Sequence, residues 1–309
     1  MSKTDVSIVI LARNEEANLR SSLPMIKAQH TALSFEVIGL DTESEDRTAD
    51  LFSMYGARVI TIPRAEFHHV KARMRGLKES SGTYVVFLVG DAIPLTVHWL
   101  ENLVRPLLQD PKVAASYSRQ LPRDGCVPWE ARDIYGGGSP VRKIKAVDFS
   151  DPYQVMNYRR HIWEFITFSD VSSCYRRELL ERYPFNPALP EVEDQEWCKR
   201  ALDLGYAVVF EPTSAVVHSH NDSLKRLYGR TFIYGQAFAL FLDEPPDSLL
   251  RVFYRAIHDA VMDWFYIVPL KDPLARKLLW ICEAPVVRFI KRWAFSRGMR
   301  EKSPEKAHT

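Results

Sequence analysis

Apolar residues in the first half of the chain fall into short runs separated by stretches with helical patterning. The runs are residues 6–11 (VSIVIL), 35–40 (FEVIGL), 57–62 (ARVITI), 83–89 (TYVVFLV) and 112–118 (KVAASYS). They are short, rich in β-branched residues and apolar on both faces, which predicts strands of a parallel sheet covered by helices. Amphipathic stretches at about 15–30, 70–80 and 99–109 supply those helices.

From 124 to 153 the pattern dissolves into Pro, Gly and charge, and YGGGSP within it reads as loop. Residues 165–175 (FITFSDVSSCY) read as a strand and 176–183 as a helix. Residues 191–206 (EVEDQEWCKRALDLGY) predict a helix with Trp197, Ala201 and Leu204 on one face, closed by Gly205. AVVFEP and SAVVHSH read as two short strands. Beyond Ser223 the chain is helical, with breaks expected at Pro245–Pro246, Pro269, Pro273 and Pro285. There is no internal repeat.

Composition narrows the class. The 309 residues are 46% hydrophobic and 26% charged, an ordinary globular balance. A net charge of +2 argues against a nucleic-acid partner. Cys126, Cys174, Cys198 and Cys282 are far apart and lack metal-ligand spacing, which suits a reducing compartment. The N-terminal apolar run meets charge at once, unlike a signal peptide, and no stretch approaches the roughly 18 apolar residues of a membrane span. The chain reads as soluble and cytoplasmic. No Gly-rich dinucleotide fingerprint follows the first strand, and there is no P-loop.

Ligands of open α/β sheets bind beyond the carboxyl ends of the strands. Those ends carry Arg13, Asn14 and Glu15; Asp41, Glu43, Ser44 and Asp46; and Asp91. Each has a plainer use: Asn14 and Asp46 as helix caps, Ser44 as a turn residue. Together, polar groups at three strand ends point to a site. VEDQEW (192–197) adds Glu193 and Asp194 at a helix start, where acids also serve as caps. His218 and His220 alternate at the end of SAVVHSH, so one is expected to face the site and the other to face away.

On these residues the chain resembles the inverting glycosyltransferases of family 2. The resemblance runs from about Val6 to Arg230 through ARNEE, DTESEDRT, HHVKARMRGLKESSGTYVVFLVGDAIP, and EVEDQEW with HSH. Residues 90–122 are similar to the rhamnosyltransferase-like branch. They keep Asp91–Ala92 and the Arg119–Gln120–Leu121–Pro122 segment. Val89–Gly90 stands before Asp91 where that branch usually has Thr-Gln, and the first acid of an Asp-x-Asp motif is missing.

The resemblance implies a GT-A fold: an α/β, Rossmann-like, mostly parallel sheet flanked by helices, with a helical C-terminal extension. The transferase domain would cover 1–222, with its nucleotide-sugar half at about 1–122 and its acceptor half at about 123–222; the extension would cover 223–309. The implied reaction moves a sugar, L-rhamnose first among the guesses, from a dTDP- or UDP-sugar to a glycan or lipid-linked acceptor. Asp194 would be the general base, with Glu193 orienting the acceptor. Arg13, Asn14, Glu15, Asp41, Arg73 and Asp91 would bind the nucleotide sugar, Asp41 reading the base and Arg73 meeting the diphosphate. Mg²⁺ or Mn²⁺ would sit at Asp91 with His220 or His218, His220 preferred because it lies where the strand leaves the sheet. The alternative is a catalytically inactive GT-A-like module that holds glycan or nucleotide.

The C-terminal region carries two helical apolar stripes. The first is Leu250, Phe253, Ile257, Val261, Trp264 and Val268, read as packing. The second is Val286, Phe289, Ile290 and Trp293, beside Arg288, Lys291 and Arg292. It suits either a peripheral contact with the inner face of the membrane or a helix packed on the body or on a second copy in a homo-oligomer.

Overall fold

The computed structural model describes residues 4–137 and 139–301. These residues cluster into two compact units. Of the described residues, the first takes 4–121, 137, 139–187 and 193–218, and the second 122–136, 188–192 and 219–301.

The first unit holds a nine-stranded sheet. Its strands are β1 (Val6–Ala12), β2 (Phe35–Asp41), β3 (Arg58–Thr61), β4 (Tyr84–Val89), β5 (Ile93–Pro94), β6 (Val113–Leu121), β7 (Lys143–Lys145), β8 (Ser172–Arg176) and β9 (Ala207–Val217). They lie in the order β3-β2-β1-β4-β8-β6-β9-β5, with β7 paired to β9. The pairs β3–β2, β2–β1, β1–β4 and β6–β9 are parallel. β8 enters antiparallel between β4 and β6.

Helices α1 (Glu16–Lys27), α2 (Thr48–Met54), α3 (His69–Glu79) and α4 (Trp99–Gln109) flank the sheet. β1 is buried along its whole length. Ile8 and Ile10 join Leu19, Phe52, Trp99 and Leu103 in one core, as helices on a sheet face require.

The register positions the site. Ala12 pairs with Asp41, and Leu11 with Val89, so the carboxyl ends of three parallel strands share one rim. β8 runs the other way, and Ser172 pairs with Leu88, so its beginning reaches that same rim. In the parallel β6–β9 pair, Leu121 faces Val217, which adds the segment ending in Gln120 and Leu121 and the residues after β9.

The later half departs from its sequence pattern. The expected loop at 124–153 contains α5 (Pro128–Gly137), β7 and the start of α6 (Pro152–Arg160). Part of YGGGSP lies in the last turn of α5, and Gly138 lies outside the described residues. The expected strand 165–175 begins as α7 (Ile162–Ile166) and becomes extended only at Ser172. AVVFEP and SAVV form one strand, with an irregularity where Glu211 and Ala215 pair with the consecutive Ser118 and Arg119; Pro212 lies in that irregularity, which is where a strand admits proline. α8 (Arg177–Arg182) and α9 (Glu193–Asp203) follow expectation, with Gly205 at φ 81° after α9. Trp197 and Ala201 are buried, but Leu204 is exposed.

The second unit contains α10 (Leu224–Phe238), α11 (Leu249–Ile267) and α12 (Leu274–Arg300). Pro285 lies inside α12 without ending it. The α11 stripe expected to pack is largely on the surface: Leu250 is 81% exposed and Ile257 61%. The buried side of α11 is instead Val252, Ala256, Asp259, Ala260, Asp263 and Ile267.

The two aspartates explain that choice. Arg288 is buried and bonds Asp263 through Nε and Nη2, both at 2.6 Å, and Asp133 through Nη1 at 2.8 and 2.9 Å. Lys291 bonds Asp133 at 2.5 Å, and Arg292 bonds Asp259 at 2.7 Å. The cations expected to meet an anionic lipid surface are each paired with a carboxylate of their own unit. Burial opposes the Asp133 charge, yet Lys291 and Arg288 bring its pKa down to about 2. Among the described residues, no helix is long and apolar enough to cross a membrane.

Candidate active site

The loops after β1 and β2 are strapped together. Asn14, at φ 53°, donates its N–H to Ser44 Oγ at 2.9 Å and accepts from the Glu45 N–H at 2.8 Å. The Glu15 N–H donates to Thr48 Oγ1 at 2.8 Å. Asp46 takes the first-turn N–H of Glu16 at 3.0 Å and that of Thr48 at 2.9 Å, so one carboxylate serves the starts of α1 and α2. Asp46 thus meets helix-start N–H groups, as the plainer reading had it, whereas Asn14 caps no helix and instead ties its loop to the Ser44–Glu45 turn; together these bonds fix the rim.

Asp41 ends β2 with 3% of its surface exposed. One oxygen accepts the Ser44 N–H at 3.2 Å; the other, Oδ1, is buried with no hydrogen-bond partner among the described residues. A buried acceptor without a donor is costly, and a ligand N–H would satisfy it. The Nε of Arg13 is likewise buried without a hydrogen-bond partner.

Asp91 follows β4 after Gly90. A Cβ at Gly90 would come within 2.8 Å of the Ala12 Cβ and 2.9 Å of the Glu15 Cγ. The Gly90 N–H donates to the Leu11 carbonyl at 2.7 Å. The crossing is that tight, so position 90 has no room for a side chain.

His218 Nε2 lies 3.5 Å from Asp91 Oδ2. Asp91 and His218 thus turn ligand atoms to each other within the first unit, and His220 follows two residues along the chain. Side chains two residues apart share a face of a strand, so the alternation expected to turn one histidine away does not operate between His218 and His220. His218 Nδ1 is 3.0 Å from Gln120 Oε1. An amide oxygen is only an acceptor, so Nδ1 carries the proton there, and in the neutral ring Nε2 presents its lone pair toward a carboxylate. Two acceptors facing each other suit a cation between them. A carboxylate and imidazole nitrogens are a donor set that can hold a divalent metal ion.

The acidic pair opens α9, preceded by Val192 at φ 59°. Glu193, 3% exposed, bonds Nη1 of Arg73. Arg73 comes from α3 and also forms an ion pair from Nε to Asp170 Oδ2 at 3.0 Å, ionic in character because the hydrogen-bond alignment is poor. Asp170 Oδ1 accepts from Ser173 Oγ at 2.6 Å and Tyr175 Oη at 2.7 Å. The Asp170 N–H donates to Asp194 Oδ2 at 2.9 Å, and Asp194 Oδ1 takes the Gln195 N–H at 2.8 Å. Three carboxylates thus gather around one guanidinium, leaving more negative charge than Arg73 balances.

The electrostatics follow. Burial, then the charges of Asp170 and Glu193, raise the Asp194 pKa well above the ordinary carboxylate range. Burial disfavours the Arg73 charge, but Glu193 and Asp170 hold it firmly protonated. Burial and the Arg73 cation lower His69 to about 4, so that ring stays neutral.

Sequence reading missed Asp170 and gave Arg73 a different setting. Arg73 was expected at the diphosphate, and its partners here are Glu193 and Asp170. Asp170 sat inside a presumed strand. Only the reversed direction of β8 brings it to the rim, where the beginning of a strand, not a carboxyl end, carries the residue.

The sheet, its cation-ligand group and its carboxylate cluster define a GT-A-like domain. The chain belongs to glycosyl transferase family 2, whose model matches residues 7–184, more than half of the chain. It is 28% identical over 207 residues to the O-antigen chain rhamnosyltransferase WbaN of Salmonella anatum, a match spanning 65% of this chain and 61% of WbaN. The fold is similar to that of the mannosyltransferase PcManGT from Pyrobaculum calidifontis, in complex with GDP-Man and Mn²⁺, with a TM-score of 0.63, 17% identity, and coverage of 99% of this chain and 89% of that one. It also resembles glucosyl-3-phosphoglycerate synthase from Mycobacterium tuberculosis, bound to Mn²⁺, UDP and glucosyl-3-phosphoglycerate, with a TM-score of 0.51, 24% identity, and coverage of 76% and 78%.

Proposed function

We propose that this protein is an inverting glycosyltransferase that moves a sugar from a nucleoside-diphosphate donor to a hydroxyl of a glycan or lipid-linked acceptor. The observation that carries the reading is Asp194: a carboxylate oriented by two backbone N–H groups and made unusually basic by burial, then by the charges of Asp170 and Glu193. A general base works best when its pKa approaches the working pH. The acceptor oxygen attacks the anomeric carbon, its proton passes to Asp194, and the bond to the nucleoside diphosphate breaks. Glu193, held by Arg73, accepts a second hydroxyl of the acceptor and sets its angle of attack.

Asp91, His218 and His220 would hold Mn²⁺ or Mg²⁺, which when bound supplies Lewis-acid stabilisation of the departing diphosphate. Asp41 Oδ1 accepts the imide N–H of the base. Arg13, Asn14 and Glu15 frame the nucleotide, with the Arg13 guanidinium turned to phosphate. We assign a dTDP- or UDP-sugar, with dTDP-rhamnose as the first candidate. Support comes from the Arg119–Pro122 segment and from the relative named a rhamnosyltransferase.

The test is a panel of UDP-, dTDP- and GDP-sugars, scoring release of nucleoside diphosphate with and without acceptor glycans. Turnover with a pyrimidine donor is expected. Binding of nucleotide without turnover on any donor would favour the inactive binding module, and selective use of GDP-sugars would overturn the base assignment.

A further inference from the structure

We propose that Gln120 is a positioning residue for the cation site: its side-chain amide selects the His218 tautomer that can bind a cation. The consequence for catalysis rests on the transferase reading above; the geometry does not.

Gln120 sits near the end of β6, where it pairs with Val216 of β9, while the His218 N–H donates to the Leu121 carbonyl at 2.9 Å. This register holds the amide beside the imidazole. Oε1 lies 3.0 Å from His218 Nδ1, and Nε2 donates to Ser169 Oγ at 3.0 Å. The amide is thus anchored at both ends.

Its direction decides the chemistry of the ring. With Oε1 toward Nδ1, the proton stays on Nδ1 and the Nε2 lone pair faces Asp91, 3.5 Å away. With the amide turned over, Nε2 of Gln120 would donate to Nδ1. The ring proton would then move to its own Nε2, pointing at Asp91. Asp91 and His218 would form an ordinary hydrogen bond, and the imidazole would have no lone pair for a metal. Ser169 Oγ accepts from the NH₂ in the observed orientation and holds the amide beside the ring. Ser169 also precedes Asp170, whose N–H orients Asp194. The amide therefore joins the strand end bearing the cation ligands to the segment that aims the base. Partners that fix a metal-binding histidine in this way are typically worth about 10–100-fold in metal affinity.

Two measurements test this without any sugar donor. The first is ¹⁵N NMR of histidine-labelled, metal-free protein near neutral pH, with His218→Gln identifying the resonance. The wild type should carry the proton on Nδ1 alone, and Gln120→Met should shift it toward Nε2. The second is Mn²⁺ titration by calorimetry. Gln120→Met should bind about 10–100-fold more weakly, and Gln120→Glu should recover most of the loss, since a carboxylate also accepts the Nδ1 proton. Ser169→Ala, which frees one end of the amide, should fall between them and replaces Gln120→Met if that variant melts early.

A neutral wild-type ring protonated on Nε2 would overturn the proposal. So would Mn²⁺ affinity unchanged in the Gln120 and Ser169 variants. A wild type that binds no Mn²⁺ would overturn it together with the cation part of the proposed function. Loss of affinity in the variants without sugar transfer by the wild type would leave Gln120 in place and sink only the transferase reading.

Discussion

The backbone N–H of Asp170 points at Oδ2 of Asp194, 2.9 Å away, while the Asp170 side chain faces Arg73. One residue thus orients the proposed base through its main chain and makes it more basic through its charge. A main-chain bond of this kind survives substitution of the side chain, so the two effects can be separated by mutation.

Replacing Asp194 by Asn should lower turnover by about 10²–10⁴-fold and leave donor affinity near normal, because Asn cannot take the proton. In the wild type the rate should rise with pH through the raised Asp194 pKa, placing the acid limb above the ordinary value of about 3.9. Stability has the matching sign. A carboxyl whose folded pKa is raised stabilises the fold most at low pH and loses that contribution as pH rises through its folded pKa. Asn loses one N–H acceptor but carries no charge, so its stability relative to wild type should improve from about pH 4 upward. Initial rates and melting curves across that range check both signs; a difference in melting that stays flat with pH would refute the raised pKa.

Asp170→Asn should keep the main-chain bond and remove the neighbouring charge. The acid limb of the rate profile should then move to lower pH, with KM for the acceptor little changed. A limb that stays in place while turnover collapses would assign Asp170 a purely architectural part.

Arg73→Met should be among the most damaging changes in the first unit. It strands Asp170 and Glu193 without their shared cation, and breaking a buried ion pair from one side costs about 3–5 kcal/mol. The loss should shrink as pH falls, because burial already raises the Asp170 carboxyl above the ordinary range and a protonated Asp170 no longer needs the cation. Urea titrations at two pH values measure it, and a cost under about 1 kcal/mol would mean that the pairs are loosely held.

The first half of this fold was legible because each strand is a β-branched run buried on both faces, a pattern that does not depend on neighbours. The carboxyl-end rule then located Asp41 and Asp91. Asp170 and Gln120 stayed hidden for a different reason. The place of Asp170 depends on β8 running antiparallel between β4 and β6, and that of Gln120 on β6 pairing with the distant β9; neither strand direction nor strand partner leaves a mark on periodicity. In α11 the apolar stripe pointed the wrong way, because Asp259 and Asp263 turn inward to meet Arg292, Arg288 and Arg132. A periodicity argument counts such aspartates as surface residues; only their partners on α12 and α5 reverse the assignment.

Asp41→Asn tests the nucleotide half. Asp41 Oδ1 is buried without a hydrogen-bond partner, so removing its charge should leave stability unchanged or slightly higher. Affinity for the nucleotide should fall about tenfold, the value of one hydrogen bond to a charged acceptor. Calorimetry with UDP and dTDP gives the answer, and equal binding by both proteins would move the base elsewhere.

Gly90 yields the last prediction and accounts for the unusual Val89–Gly90 before Asp91. A methyl group at position 90 would meet the Ala12 Cβ at 2.8 Å and the Leu11 carbonyl at 3.1 Å. Both belong to β1, which is buried on each side and cannot retreat. The Glu15 Cγ at 2.9 Å belongs to a more flexible chain and could move. Gly90→Ala should therefore push the turn carrying Asp91 outward. Overpacking of this kind costs about 1–3 kcal/mol, and the displaced carboxylate should weaken Mn²⁺ binding as well. Ala12→Gly removes the nearest obstacle, so the double variant should recover part of both losses even though glycine in a strand carries its own penalty. A double-mutant cycle on urea stability, run beside Mn²⁺ titration, measures the coupling. If Gly90→Ala is as stable as wild type and binds Mn²⁺ equally well, the crossing of β1 and the Asp91 turn is not tight, and the glycine needs another explanation.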